Sequence, residues 1–293
     1  MNWQVPPEWD GERADKVLAQ VSGRSRSAAR LALEEGTVLL DGESVEPRHK
    51  ARTGGEFIGT IPDTHIPLEP EPVPFEVVYE DEHIAVIDKP TGIVTHPGAG
   101  RSGGTLAGGL LHRWPKVRGG GAENRWGIVH RLDRETSGLL AIALTAEAYV
   151  GLSAAIKSRQ FTREYLCLVS GTPGAPTATI EAPIGRDPRR PTRMRLDPDG
   201  RHAVTHYRVE RSWSGLAFLR VILETGRTHQ IRVHLASIGL PVAGDRTYGN
   251  GTGRHRLFLH ATRLAFVHPV DGSAVDVESH LPPDLASALP AEG

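Results

Sequence analysis

The chain has 293 residues and a formal net charge of −1, from 34 Lys and Arg against 35 Asp and Glu. Its composition, 39% hydrophobic and 24% charged, is that of a soluble globular protein and excludes a disordered chain. No apolar run reaches the roughly 18 residues of a membrane-spanning helix, and the N-terminus has no secretory signal pattern. The single cysteine, Cys167, excludes an internal disulfide and a cysteine-based zinc site. We therefore expect a cytoplasmic protein without membrane contact.

A proline-rich segment divides the chain into two parts. Five prolines fall within the thirteen residues 62–74. Proline fixes φ and removes a backbone donor, so this segment can form neither a helix nor a central strand. We predict an N-terminal domain over residues 1–62, a linker over residues 63–74 and a larger domain over residues 75–293.

The N-terminal part contains two helical patterns and a turn signal. Apolar residues at helical spacing predict a first helix near Arg13–Val21. A second helix begins at Ser25 or Ser27, either of which can cap it, and ends at Gly36. An Asp-Gly turn within Val38–Val45 predicts a hairpin of two short strands.

This order of elements, with Ser-Arg-Ser at the second helix, resembles the S4 RNA-binding domain over residues 11–60, with mild departures at Asp41 and Glu56. Residues 11–60 hold eight Lys or Arg and eight Asp or Glu, so RNA affinity must come from placement and not from net charge. The alternative is an ordinary solvated helix face. The resemblance implies RNA contacts by the arginines near the start of the second helix, which are Arg24, Arg26 and Arg30.

The larger part is rich in strand patterns, and its clearest helices are Ala146–Arg159 and Gln230–Ile238. Tight turns join many neighbouring strands, which favours antiparallel pairing. We therefore predict an α+β fold, with a small S4-like αα-hairpin domain followed by a domain built on a mixed, largely antiparallel sheet. The predicted strands are Phe75–Tyr79, His83–Asp88, Leu139–Thr145, Tyr165–Val169, Thr205–Val209, Ala217–Leu223, Leu264–Pro269 and Ala274–Glu278.

Three functional motifs are not supported by the sequence around them. Gly98–Gly103 fits G-x-G-x-x-G, but no amphipathic helix opens from it, so we do not expect dinucleotide binding. His229 and His234 are five residues apart and cannot share a helix face, so we expect no metal site. Ser137 and Ser214 lie outside any G-x-S-x-G elbow, which argues against a hydrolase of that type.

The segment His130–Leu140 stands out because it places Asp133 between Arg131 and Arg134, just before an apolar strand. Nearby cations favour the ionised form of a carboxylate. An ionised aspartate among cations is either a structural ion pair or a nucleophile, and the spacing alone favours the ion pair.

The same segment, His-Arg-Leu-Asp-x-x-Thr-Ser-Gly-Leu-Leu, resembles the catalytic motif of the RluA-type pseudouridine synthases. Together with three further matches in the family's order, the resemblance spans about residues 75–270. An S4 domain ahead of such a domain is similar to the branch that modifies large-subunit ribosomal RNA. The further matches are Lys89–Pro97, Arg163–Leu166 and Thr225–His234, the last continued by Gly244-Asp245 and Tyr248-Gly249.

The resemblance implies a role for three residues in the reaction. Asp133 would be the nucleophile, and Arg232 would pair with it and hold it charged and aimed. Tyr165 would lie against the target base and could act in proton transfer. Isomerising uridine to pseudouridine breaks N1–C1′ and makes C5–C1′ without redox change, so we expect no cofactor. The nucleotide must be flipped out of a stacked RNA into a pocket.

The RNA-facing residues follow from the same resemblance and from one basic segment. Arg131 would replace the flipped base, and Arg227 and His229 would line the pocket. The segment Gly185–Arg195 carries five arginines against one aspartate, and its prolines predict an exposed loop. We expect 23S ribosomal RNA, or a precursor of the large subunit, as the partner of a monomeric enzyme. The phosphate-binding candidates of this loop are Arg189, Arg190 and Arg193, which could equally be solvated.

Two other functions compete with this hypothesis. A non-catalytic RNA-binding factor for ribosome assembly, built on the same scaffold, would be expected to lose Asp133, Tyr165 or Arg232, and none is lost. A hydrolase that cleaves an N-glycosidic bond with Asp133 would need a second carboxylate, for which Glu135 is the nearest candidate.

Overall fold

The computed structural model describes residues 1–61, 68–96, 103–118, 120–121, 126–249 and 256–291, except for the side chain of Ser27. Residues 62–67 of the proline-rich segment and most of the Gly98–Gly103 motif lie outside this part. The chain divides into two units, residues 1–67 and residues 68–293, and each is described separately below.

The N-terminal unit packs two helices against a small antiparallel sheet. Ser25 caps the second helix, because its side chain accepts a hydrogen bond from the Ala28 amide at 3.1 Å. The core is formed by apolar side chains of both helices, including Leu18 and Leu33, together with Phe57 of the sheet. The elements are β1 (Asn2–Gln4), α1 (Ala14–Ser22), α2 (Arg26–Glu34), β2 (Val38–Leu40) and β3 (Glu56–Gly59), with the strand order β1-β3-β2.

The hairpin predicted within Val38–Val45 is wrong beyond its turn. Asp41 and Gly42 do form a tight turn, with φ of 53° and 83°, but the return strand is limited to one bridge between Leu40 and Glu43. β2 pairs instead with β3, which brings the fully buried Phe57 into the core. The residues after the turn are largely exposed and polar, so pairing with them would bury little apolar surface.

The larger unit is built on a nine-stranded sheet in which one pair of strands is parallel and the others are antiparallel. The α+β class and the largely antiparallel sheet are therefore confirmed. The strand order is β4-β5-β6-β13-β7-β12-β11-β8, and β14 also pairs with β13. The sheet strands are β4 (Glu76–Glu80), β5 (Ile84–Lys89), β6 (Ser137–Ala143), β7 (Phe161–Ser170), β8 (Thr177–Glu181), β11 (Val204–Trp213), β12 (Leu216–Leu223), β13 (Leu259–Val267) and β14 (Ala274–Glu278).

Helices cover both faces of this sheet, so its central strands are buried on both sides. Every residue of β6 is buried: Leu140 and Ile142 point into one core, and Leu139, Ala141 and Ala143 point into the other. The first core includes side chains of α3 (Leu106–Arg113) and α5 (Gln230–Ser237), and the second includes side chains of α4 (Ala146–Lys157).

The sequence missed α3, whose interior holds Gly108 and Gly109, because glycine disfavours a helix. It also missed the short hairpin of β9 (Ile184–Arg186) and β10 (Met194–Leu196), which brackets the predicted arginine-rich loop, and the last helix, α6 (Pro283–Ala286). Residues 68–74 run beside α3, where the Glu71 amide donates to the Gly108 carbonyl. None of the described helices is long and apolar enough to cross a membrane.

Gly138 permits the closest approach of β6 and β13. Its φ is +114°, and a Cβ at this position would lie 2.2 Å from the Ala261 carbonyl oxygen. We predict that Gly138→Ala lowers the free energy of unfolding by roughly 3 kcal/mol, because left-handed strain and a backbone clash add. Gly174→Ala is the matched control, since no atom lies within 4 Å of its Cβ position. Denaturant unfolding of both variants tests this, and equal stability would contradict it.

Candidate active site

The segment that follows Gly127 and precedes β6 lines a cavity of about 700 Å³ in the larger unit. The other walls come from the end of α4, from β7, from the segment after β12 and from the start of α5. The cavity therefore brings together segments that are distant in the sequence, among them Asp133, Tyr165 and Arg232.

A buried arginine faces Asp133. The Arg232 side chain is 3% exposed, and its Nε and Nη2 donate to the two carboxylate oxygens of Asp245 at 2.7 and 2.9 Å. Its remaining nitrogen, Nη1, lies 3.5 Å from Asp133 Oδ2, and Nη2 is also 3.7 Å from Glu135 Oε2. The bidentate pair fixes the plane of the guanidinium, so the third nitrogen is aimed at Asp133.

The charges of this pair stabilise one another inside the protein. Burial opposes the charge of Arg232, but the hydrogen bonds and negative charge of Asp245 raise its pKa. Burial likewise acts against the charge of Asp245, but the hydrogen bonds from Arg232 lower its pKa, and backbone amides of Thr247 and Tyr248 add to the effect. Asp245 therefore neutralises the buried cation, and the Asp133 side chain, 15% exposed, stays open to the cavity.

His229 approaches the same carboxylate oxygen of Asp133, with Nε2 3.9 Å from Oδ2. Its Nδ1 is 2.8 Å from the hydroxyl of Tyr248, which accepts a hydrogen bond from the Met194 amide. The hydroxyl proton is then free to bond Nδ1, and this places the imidazole proton on Nε2, toward Asp133. Burial lowers the pKa of His229 despite the nearby Asp133 carboxylate, so the ring is neutral at pH 7.

The Lys89–Pro97 motif holds the backbone of the Asp133 segment. The Thr95 hydroxyl donates to the Leu132 carbonyl at 2.8 Å, and the Gly92 amide donates to the Arg134 carbonyl at 2.7 Å. Arg134 Nε donates back to the Gly92 carbonyl at 3.2 Å. The sequence placed Arg134 beside the Asp133 carboxylate, but its guanidinium is engaged here.

The Lys89 side chain binds to backbone carbonyls of its own motif. Its side chain is fully buried and donates to the carbonyls of Pro90 and Ile93 at 2.9 and 3.2 Å. Burial lowers the pKa of Lys89 to about 8, although the negative charge of Asp133 acts in the opposite direction. The motif thus adds a desolvated cation to the field around Asp133.

The other residues assigned to the pocket lie in its walls. Tyr165 is 5% exposed, and burial raises its pKa, so its phenol is neutral at pH 7. Arg131 is exposed at the cavity, and the half-buried Arg227 donates from Nε to the His202 carbonyl at 2.9 Å. His229 adopts a left-handed φ of 55°, which is uncommon for a non-glycine residue.

The arginines of the N-terminal unit are partly committed to ion pairs within that unit. Arg26 donates to both oxygens of Asp15 at 3.2 Å, and Asp15 is 2% exposed and is also bound by Arg13. Arg30 pairs with Glu34 at 2.8 Å, one helical turn away. The structure therefore gives Arg26 a packing function within the unit. Arg24 is exposed.

The arginine-rich segment between β9 and β10 is the tip of a hairpin and reaches the site through Tyr248. Arg193 lies over the Tyr248 ring, with Cζ 5.1 Å from its centroid. Arg189 and Arg190 are exposed, and their amides donate to the Asp187 carboxylate. Within the described residues, the guanidinium groups of Arg189 and Arg190 make no hydrogen bond, and Arg193 packs on the ring of Tyr248.

The sequence supplied Asp245 and Tyr248 only as members of a motif, without a role. Asp245 lies thirteen residues beyond Arg232, and no local spacing signals such an ion pair. Within the described ranges, no group of three or more His, Cys, Asp or Glu side chains is arranged to hold a metal ion.

Comparison with known proteins identifies the family of this chain. Residues 83–237 match the family model described as RNA pseudouridylate synthase. The chain is 40% identical to the Ribosomal large subunit pseudouridine synthase D of Xanthomonas campestris, over 98% of this chain and 91% of that protein. It is 47% identical to an uncharacterized RNA pseudouridine synthase of Chloroflexus aurantiacus, over 97% and 91%.

A solved structure gives the same result. Human RNA Pseudouridylate Synthase Domain Containing 1 is 29% identical, with a TM-score of 0.59 over 73% of this chain and 87% of that chain. These comparisons give no support to a non-catalytic RNA-binding factor. The chain belongs to the RNA pseudouridylate synthase family and is an RNA pseudouridine synthase, an isomerase.

Proposed function

We propose that this enzyme converts uridine to pseudouridine in 23S ribosomal RNA, with Asp133 as the nucleophile. One observation carries the proposal. The buried Arg232 side chain is held by Asp245 and directs a nitrogen at the Asp133 carboxylate inside the cavity. The ribosomal target is supported by the relative from Xanthomonas campestris, whose name specifies the large ribosomal subunit.

The reaction needs bond exchange and proton transfer, but no electron acceptor. The N1–C1′ bond of the target breaks, a C5–C1′ bond forms, C5 loses its proton and N1 gains one. A covalent adduct with Asp133 splits this exchange into two easier steps. Arg232 orients the attacking carboxylate, which a planar fork does better than a lysine. Asp133 is the residue that contacts the reacting atoms, and Asp245 acts on it only through Arg232.

The cavity walls suit a flipped nucleotide. Flipping costs a few kcal/mol, and stacking on aromatic or guanidinium planes recovers part of that cost. Tyr165 packs against the target base, and its neutral phenol is a proton donor and not a ready base. Arg131, exposed at the cavity, takes the place of the departed base in the RNA stack.

RNA binding outside the cavity is divided between two regions. The N-terminal unit, with two helices against a small sheet, serves as an S4-like RNA-binding unit through Arg24 and Arg30 more than through Arg26, which is held by Asp15. The exposed Arg189 and Arg190 of the hairpin contact phosphates beside the cavity. Enzyme and substrate meet in the cytoplasm, and the enzyme acts as a monomer.

The nucleophile assignment is tested by Asp133→Asn. Arg232 keeps its bidentate bond to Asp245 in this variant, so no buried cation is stranded. We predict a melting temperature close to that of the wild type, normal binding to a 23S ribosomal RNA transcript and no detectable pseudouridine. The product is measured by release of tritium from [5-³H]uridine-labelled transcript, because C5 loses its hydrogen.

Asp276→Asn is the control, since Asp276 pairs with Arg263 on strands away from the cavity and its loss should leave the rate unchanged. A folded Asp133→Asn protein that still forms pseudouridine would overturn the assignment. Release of free uracil by the wild type would instead favour the glycosidic hydrolase with Glu135.

The hairpin assignment is tested by changing Arg189 and Arg190 together to Ala. We predict that the slope of log K against log[KCl] for transcript binding falls by roughly 1.5, because each lost phosphate contact removes about 0.7–0.9. The control changes Arg208 and Arg211 to Ala on β11, where Arg208 is paired with Glu210. An unchanged slope in the hairpin variant would return these arginines to a solvated surface.

A further inference from the structure

The cavity carries more positive charge than the reaction site uses. Asp133 and Glu224 are the acidic residues among its described lining, against seven Lys and Arg. Arg232 is matched by Asp245, and Arg131 lies two residues before Asp133 in the sequence. The five others come from the end of α4, from β7 and from the segments before β11 and after β12, and they are Lys157, Arg159, Arg163, Arg201 and Arg227. The charges of Arg159, Arg163 and Arg201 all act on Arg227, so these four arginines lie at one end of the cavity.

We propose that this end of the cavity is a phosphate-binding subsite centred on Arg163, which takes a backbone phosphate of the RNA strand next to the flipped uridine. The inference rests on the proposed function, because a flipped nucleotide brings its flanking phosphates with it.

Arg163 is buried, and none of the described carboxylates forms an ion pair with it. It is 5% exposed, and the hydrogen bond that its guanidinium makes runs from Nη2 to the Glu224 main-chain carbonyl at 3.2 Å. Its Nε has no hydrogen-bond partner within the described part of the chain. A buried guanidinium is normally paired, as Arg232 is by Asp245, because burying an unmatched charge is costly. An anionic ligand would supply the missing partner.

The surrounding cations repel one another. The Glu224 carboxylate is already bound by His206 and Arg159 at 2.8 and 2.7 Å, so it does not neutralise Arg163. Burial lowers the pKa of Arg227, and the nearby charges of Arg201, Arg163 and Arg159 lower it further. A phosphodiester would relieve this repulsion and would accept hydrogen bonds from more than one guanidinium.

Two features of the backbone shape this end of the cavity. Arg159 lies two residues beyond the end of α4. It adopts the left-handed conformation, with φ of 62°, which glycine would adopt more easily. Gly226 has no side chain where a Cβ would lie 2.6 Å from Arg163 Nη1. Arg227 is two residues from His229, which faces Asp133, so the subsite is continuous with the place of reaction.

The subsite is tested with Arg163→Gln, Arg163→Lys and Gly226→Ala. For Arg163→Gln we expect the salt slope of 23S ribosomal RNA transcript binding to fall by about 0.7–0.9 and the affinity to fall about tenfold. Arg163→Lys should recover part of both losses. Gly226→Ala keeps the net charge but displaces the guanidinium, so it should also lower the slope, and it serves as the test if Arg163→Gln does not fold.

Arg208→Gln, which removes one paired arginine outside the cavity, should leave the slope unchanged. A folded Arg163→Gln protein with the wild-type slope and affinity would overturn the subsite, as would an equal loss in Arg208→Gln. If the role of Arg163 is purely structural, its replacement will lower the melting temperature without changing the slope.

Asp133→Asn should keep the wild-type slope, so a failed subsite with an inactive Asp133→Asn leaves the proposed function standing. If Asp133→Asn stays active, the slope of Arg163→Gln still decides the subsite.

Discussion

The bidentate ion pair between Arg232 and Asp245 is the interaction on which the site depends. It is buried, and each partner keeps the other charged. Removing one member of such a pair typically costs about 3–5 kcal/mol, because the other is left as an uncompensated buried charge. Two nitrogens of Arg232 are fixed by Asp245, and the third faces Asp133 at 3.5 Å. The pair therefore serves stability and orientation at once.

The Asp133 carboxylate is positioned from two sides. Its backbone segment is held by Thr95 and Gly92, which belong to a motif some forty residues earlier in the chain. Its carboxylate is faced by Arg232 of α5 and by His229, whose neutral ring is oriented through Tyr248. The central sheet brings these segments together, since β6 follows the Asp133 segment and pairs with both β5 and β13.

Much of this architecture could be predicted from the sequence, and the exceptions have physical reasons. Short apolar runs predicted the central strands, and the Asp133 motif pointed to the candidate site. The helix α3 was missed because its interior holds Gly108 and Gly109, which disfavour a helix. The return strand after Asp41-Gly42 was wrong because the residues that follow the turn are largely polar and exposed, so pairing with them would bury little apolar surface. The function of Asp245 was missed because an ion pair across a turn leaves no periodic signal.

The central claim is that the orientation of Arg232, and not its charge alone, makes Asp133 competent. Arg232→Lys keeps a cation beside Asp245 but removes the fork that reaches Asp133. The direct measurement is the rate of tritium release from [5-³H]uridine-labelled 23S ribosomal RNA transcript at saturating RNA, with thermal melting of the same preparation. We expect the Arg232→Lys protein to fold and to bind RNA, and its rate of tritium release to fall roughly 100-fold, because a catalytic group is misplaced. A folded Arg232→Lys enzyme with the wild-type rate would contradict it.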